Sequence, residues 1–242
     1  MRVGLLVLLA IVLAVPPSAL ADGRPGRTVV LVHGLVRSKR SMALLARRLE
    51  ADGFEVVSFG YASRTKSIEA LADDLAAAVE ECCADRRTEV GFVTHSLGGI
   101  LVRAYMVDYA AGYRGRVVML SPPNQGSEIV DSLGDVGIFS AMFGRVAVEL
   151  GTGADSLPNR LGPARFEVGI ITGNRSINPL GSWLIPGPDD GSVSVERAKL
   201  EGAADFLVVP HTHTFLMNSH AVAGQVTHFL RQGRFDRGAG AR

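Results

Sequence analysis

A serine hydroxyl with a histidine and a carboxylate to activate it can attack a carbonyl and carry an acyl group. Three stretches of the 242-residue chain supply those side chains. The first is Val90-Gly-Phe-Val-Thr-His-Ser-Leu-Gly-Gly99, an apolar run, a turn centred on Ser96, and the start of a helical pattern. Such a turn lifts the hydroxyl clear of a sheet edge. Small residues two before and two after the serine let strand and helix come close. Gly98 fills the second of these positions. Thr94 fills the first, where the motif has glycine. The second stretch is Pro188-Asp-Asp-Gly-Ser-Val-Ser-Val195. Asp and Gly form turns, and either Asp189 or Asp190 could present a carboxylate there. The third supply is histidine, at 33, 95, 211, 213, 220 and 228. His220 and His228 fall inside a helical pattern and read as surface or structural residues.

These groups need a scaffold. Apolar runs alternate with helical periodicity along the chain, which predicts a parallel sheet covered by helices. Strands are expected at 28–33, 54–59, 90–94, 117–120, 166–172 and 205–209. Helices are expected at 41–52, from Ser67 through Val79, at 97–109, near 195–200 and at 215–231. The stretch from 127 to 163 is apolar and punctuated by glycine, with weak helical pattern over 136–150. Residues 174–190 read as a long loop, and 233–242 as a frayed tail.

The His-Ser-Leu-Gly-Gly stretch after a buried strand resembles the nucleophile elbow of α/β-hydrolases, especially bacterial lipase-like and esterase-like members. Val30-Leu-Val-His-Gly-Leu35 resembles the first strand and loop of the same superfamily. The resemblance covers most of residues 28–231 and is weakest over 127–165. It implies an α/β-hydrolase fold, here a minimal, mostly parallel sheet of about six strands flanked by helices. In that fold the order along the chain is Ser, acid, His. The acid then follows Ser96 and the base follows the last strand. The resemblance places Asp190 as the acid over Asp189, and His213 as the base over His211. It implies an oxyanion hole from the backbone N–H groups of Leu35 and Leu97, with His33, Gly34 and His95 beside the substrate. Ser121-Pro-Pro-Asn-Gln-Gly-Ser-Glu128 resembles a Pro-x-x-Gly-Ser segment of lipases.

The implied activity is hydrolysis of acyl esters through an acyl-enzyme, with no metal or organic cofactor. Residues 127–165 would form an apolar cap or lid over an acyl pocket, or pack as plain core, through Ile129, Val130, Leu133, Val136, Ile138, Phe139, Met142, Phe143, Val146, Val148 and Leu150. A small-molecule or lipid ester is the expected partner, with transient contact at a lipid interface. An acyltransferase, a membrane-lipid deacylase and a non-catalytic binding protein on the same scaffold are the alternatives; peptidases rank lower. A net charge of +1 argues against nucleic acid as a partner.

Met1-Arg2, an apolar run from Val3 to Val15, and Ala19-Leu20-Ala21 together read as a secretory signal cut after Ala21. The apolar run falls short of the ~20 residues that span a bilayer. A periplasmic or secreted mature chain from Asp22 is therefore expected. Adjacent Cys82 and Cys83 are expected to be two small helix residues rather than a bridged pair.

Overall fold

A computed structural model describes residues 28–86, 89–109, 111–133, 144, 146 and 149–238. The expected signal segment lies outside the described residues, as do Val136, Ile138, Phe139, Met142, Phe143 and Val148 of the expected cap.

Six strands form one sheet: β1 (Thr28–Val32), β2 (Glu55–Phe59), β3 (Gly91–His95), β4 (Val117–Leu120), β5 (Val168–Gly173) and β6 (Asp205–Val209). Their spatial order is β2-β1-β3-β4-β5-β6, and all five pairings are parallel. The four inner strands are buried along their whole length. That is why they read as unbroken apolar runs rather than alternating ones. Successive side chains point to opposite faces, which sorts the core into two layers. Val30, Val32, Phe92, Met119 and Ile170 face one layer; Val29, Leu31, Val93, Leu120 and Ile171 face the other.

The first layer is covered by α2 (Ile68–Cys83) and α3 (Leu97–Tyr109), through Leu71, Leu75, Ile100 and Leu101. The second is covered by α1 (Ala43–Ala51) and the last helix, His220–Gln232, through Leu45, Leu49, Val226 and Phe229. Ser67 starts α2 by accepting a hydrogen bond from Ala70 N at 3.3 Å, which satisfies one of the free donors at a helix start. Short helices fill the long connections: α4 (Glu128–Leu133), α5 (Leu157–Arg160), α6 (Pro179–Leu184) and α7 (Val195–Ala198), and the last helix is α8. Buried Arg103 of α3 ties two of these connections down. Its guanidinium donates to the carbonyls of Asn124, Pro158 and Gly162, each at 2.8 Å.

Four expectations need correction. The loop at 174–190 contains α6, opened by Asn178 and Pro179. The last helix begins at His220 rather than 215, because Leu216–Asn218 make a separate 3-10 turn. The tail is not frayed as far as Gly238. Phe235 is buried, its N–H donates to Asp205 Oδ2, and Arg237 pairs with the same carboxylate. Cys82 and Cys83 are bonded to each other at the end of α2, where the helix gives way to a 3-10 turn.

Candidate active site

Strand order reverses direction between β1 and β3. In open α/β sheets the crevice beyond the carboxyl ends of strands at such a point is where ligands bind. A cavity of about 610 Å³ opens there, and its wall includes Gly34 to Arg37 after β1 and His95 to Leu97, from the last residue of β3 to the first of α3. Ser127, Ile129, Val130, Leu133 and Leu150 line it from the 127–165 connection, and Leu180 and Leu184 from α6.

Ser96 stands directly between β3 and α3 with φ at +52°. An L-residue held in the left-handed region costs of order 1–3 kcal/mol and persists only where the surroundings enforce it. Here the surroundings are tight. A Cβ on Gly98 would lie 2.4 Å from the carbonyl oxygen of Val32, so α3 presses directly on β1. Thr94 is accommodated from the other side of the turn. A Cβ on Gly99 would meet Thr94 Oγ1 at 3.4 Å and Pro122 at 2.9 Å. The second glycine of Leu97-Gly98-Gly99 therefore supplies the space that the threonine takes. Thr94 Oγ1 has no hydrogen-bond partner among the described residues.

Asp190 is 1% exposed. Its Oδ1 accepts from Ser192 N at 3.0 Å and Val193 N at 2.8 Å, and its Oδ2 accepts from His213 Nδ1 at 2.8 Å. Burial alone would raise the pKa of this carboxyl. The charge of His213 and hydrogen bonds from His213, Ser121 and Val193 outweigh it and hold the group below its ordinary value. Ser121 was not among the expected site residues. It follows β4 directly, is fully buried, has φ at +46°, and also accepts from Gly173 N at 3.4 Å. Its position at the end of a buried strand was visible in the sequence; its contact with a loop seventy residues on was not.

The runner-up residues point elsewhere. Asp189 Oδ1 accepts from Ser182 Oγ at 2.7 Å and Gly191 N at 2.6 Å. His211 donates through Nδ1 to Pro210 O at 2.8 Å and accepts through Nε2 from Ser219 Oγ at 2.6 Å. That serine caps α8.

His213 is pinned at three points. Its ring pairs with Asp190, its N–H donates to Asp190 O at 2.9 Å, and its carbonyl accepts from His95 Nε2 at 3.0 Å. A carbonyl only accepts, so His95 carries its hydrogen on Nε2. Its Nδ1 is a buried acceptor with no partner among the described residues. Burial, reinforced by the charge of His213, pushes the pKa of His95 down to about 3. The ring is therefore neutral in the folded protein across the working range.

Neutral His95 predicts a pH effect on stability. Between the unfolded value of about 6.5 and the folded one, the unfolded chain binds the extra proton. Stability then falls as pH drops below 6.5, by about 2 kcal/mol between pH 7 and pH 5. Chemical denaturation at both pH values should show this loss in the wild type. In His95→Gln, which keeps a donor but does not titrate, the loss should be smaller by about that amount. A similar pH slope in both proteins would overturn the assignment. His33, which burial also pushes down, contributes to both.

His33 does not line the cavity. Its ring stacks on Tyr61 at 4.2 Å between centroids, its Nδ1 donates to Gly34 O at 2.8 Å, and Tyr61 Oη donates to His33 O at 2.6 Å. Ser63 Oγ accepts from Val36 N at 3.1 Å. Tyr61 and Ser63, neither expected from sequence, thus hold the Gly34–Val36 loop in place. Leu35 and Leu97 line the cavity, and among the described residues neither backbone N–H has an acceptor. Among the described residues no cluster of three His, Cys, Asp or Glu side chains is set to hold a metal ion.

The fold is similar to that of a Bacillus licheniformis lipase, BlEst2, in its mature form. The TM-score is 0.64 at 23% identity, over 80% of this chain and 87% of that one. It is also similar to phospholipase PlaB from Legionella pneumophila, with a TM-score of 0.67 at 19% identity, over 83% of this chain and 56% of that one. A metagenomic carboxyl esterase, MGS0156, superposes with a TM-score of 0.63 at 20% identity, over 79% of this chain and 66% of that one. Likeness at these identities is a likeness of fold. By sequence, no curated protein matches. The family model described as serine aminopeptidase, S33, matches residues 23–162, a span that includes Ser96 and ends before Asp190 and His213. With more than half of its length so matched and its six parallel strands in this order, the chain belongs to that hydrolase family, within the α/β-hydrolase superfamily.

Proposed function

We propose that the protein is a serine carboxylic-ester hydrolase in which Ser96 is the nucleophile, His213 the base and Asp190 the acid. The observation that carries this reading is the 2.8 Å pair of His213 and Asp190 on the same cavity as Ser96. Because Nδ1 donates to Asp190, the lone pair of His213 is on Nε2, the nitrogen left to take the Ser96 proton. Ser96 Oγ then bonds the ester carbonyl carbon, and the oxyanion is held by Leu35 N–H and Leu97 N–H. His213 returns the proton to the departing alcohol. Water, deprotonated by the same histidine, releases the acid. A backbone donor of this kind is worth roughly 2.7–4 kcal/mol.

The cavity wall favours an acyl group over a peptide N-terminus. Leu35, Val36, Ile129, Leu133, Leu180 and Leu184 line it, with Arg37 as its charged residue. An aminopeptidase needs a carboxylate to hold the substrate's ammonium group, and among the described residues no Asp or Glu lines the cavity. The 127–165 connection supplies part of this apolar wall, as a cap would. The signal-like start of the chain supports a role outside the cytoplasm as part of this reading.

The test is turnover of p-nitrophenyl esters from acetate to palmitate, alongside aminoacyl p-nitroanilides. Ester cleavage with a chain-length optimum, and little anilide cleavage, is expected. Preferred cleavage of the anilides would replace this reading with the aminopeptidase one. Transfer of the acyl group to an added alcohol in preference to water would identify an acyltransferase on the same residues.

A further inference from the structure

Trp183 is the sole tryptophan of the chain and is 80% exposed. It stands on α6 three residues after Leu180, so the two share a helix face. Leu180 is 65% exposed and lines the cavity; Ile177, just before the helix, is 67% exposed. Val36, which also lines the cavity, is exposed, and so is Phe215, which follows the lining residue Thr214 in the chain. Single exposed apolar residues are ordinary, but a contiguous group around a cavity mouth marks an interaction face.

Charge narrows the occupant. The three segments that carry these residues are 33–42, 172–188 and 206–219. They contain Arg37, Lys39, Arg40 and Arg175, and no Asp or Glu. Arg37 and Arg175 are exposed, and Arg37 reaches across to Thr214 Oγ1 at 3.5 Å. Two carboxylates of the opposite wall already have partners. Glu128 pairs with Arg197 at 3.1 Å, and Asp131 accepts from Thr152 N at 2.8 Å. A face of apolar tips ringed by arginine, with a tryptophan foremost, fits a bilayer whose headgroups are anionic. It fits a second copy of itself poorly, because a two-fold contact would set the same cations against one another.

We propose that this face docks on the surface of an anionic phospholipid membrane. Trp183, Ile177 and Leu180 enter the headgroup region, Arg37 and Arg175 meet lipid phosphates, and the cavity mouth opens onto the bilayer. No helix among the described residues is long and apolar enough to cross a membrane, so the contact is peripheral. Only the purpose of docking, delivery of lipid acyl esters, rests on the ester-hydrolase reading.

The test uses vesicles of ether-linked phosphatidylcholine, with or without ether-linked phosphatidylglycerol. Neither lipid offers an ester to cleave, so binding is separated from turnover. Since Trp183 is the sole tryptophan, a blue shift of its emission reports entry of this face directly. The wild type is expected to co-float with the phosphatidylglycerol vesicles at least tenfold more tightly than with phosphatidylcholine alone, with a blue shift, and to be released by salt. Arg175→Glu should weaken binding by about fivefold or more. Ile177→Asp should weaken it about tenfold while fluorophosphonate labelling of Ser96 stays unchanged. Absence of co-flotation, binding indifferent to Arg175→Glu or Ile177→Asp, or a Trp183 shift that follows protein concentration without lipid would each overturn the proposal. The last would point to a second copy. Docking without ester turnover would remove the hydrolase reading and leave this one standing.

Discussion

Ser96→Ala is expected to abolish ester turnover, lowering kcat by a factor between about a thousand and a million, with the fold retained. The site explains the size. In the proposed mechanism Ser96 Oγ is the atom that bonds the substrate, and no second hydroxyl stands at the turn between β3 and α3. Alanine leaves the Leu35 and Leu97 N–H groups in place, so residual rate above that of water measures the oxyanion hole alone. KM should change little, because the apolar side chains that line the cavity, Leu35, Ile129, Leu133, Leu180 and Leu184 among them, are untouched by the substitution. The measurement is p-nitrophenyl butyrate hydrolysis with fluorophosphonate labelling of both proteins. Labelling that survives in Ser96→Ala, or a rate within tenfold of wild type, would place the nucleophile elsewhere.

The second large effect is expected from Asp190→Asn, a loss of about ten-thousandfold in kcat. The hydrogen bonds dictate how it acts. Oδ1 of residue 190 accepts from Ser192 N and Val193 N, so an asparagine there keeps its oxygen on those donors. Its amide nitrogen then faces His213 Nδ1 and donates to it. His213 responds by carrying its hydrogen on Nε2, the nitrogen that must accept the Ser96 proton. The backbone bond from His213 N to Asp190 O survives, so the loop holds its shape. A kcat loss below tenfold would show that another carboxylate, Asp189 first, orients the base. Asp189→Asn is the matching control and should leave kcat nearly unchanged, because its Oδ1 is turned to Ser182 and Gly191.

What could be read from the sequence was what local pattern determines. The inner strands are apolar on both faces, and their positions were legible to within about two residues. Asp190 and His213 came from a resemblance, and the structure brings them together. The misses depend on contacts distant in the chain. Thr94 looked like a flaw in the elbow because the relief comes from Gly99 packing against it. Ser121 reaches the 190 loop only after β4 and β5 pair. His33 read as a cavity residue from its place before Gly34, yet Tyr61, at the end of β2, stacks on it and turns it inward. The helix at Pro179 did carry a local signal. Asn178 caps it by accepting from Gly181 N at 3.1 Å, and proline is favoured at a first helical position.

Among the described residues, three that are not glycine hold positive φ: Val36, Ser96 and Ser121. Each lies just past the carboxyl end of a strand, after β1, β3 and β4 respectively, and together they border the cavity and the carboxylate behind it. Among the described residues, left-handed backbone outside glycine is thus confined to the place where chemistry is proposed. Selection for heat tolerance could relieve these three positions only by loosening the site. Improvement without that exchange must come from the periphery, such as the exposed outer faces of α1 and α2. The architecture therefore separates what a lineage may alter freely from what it must keep under tension.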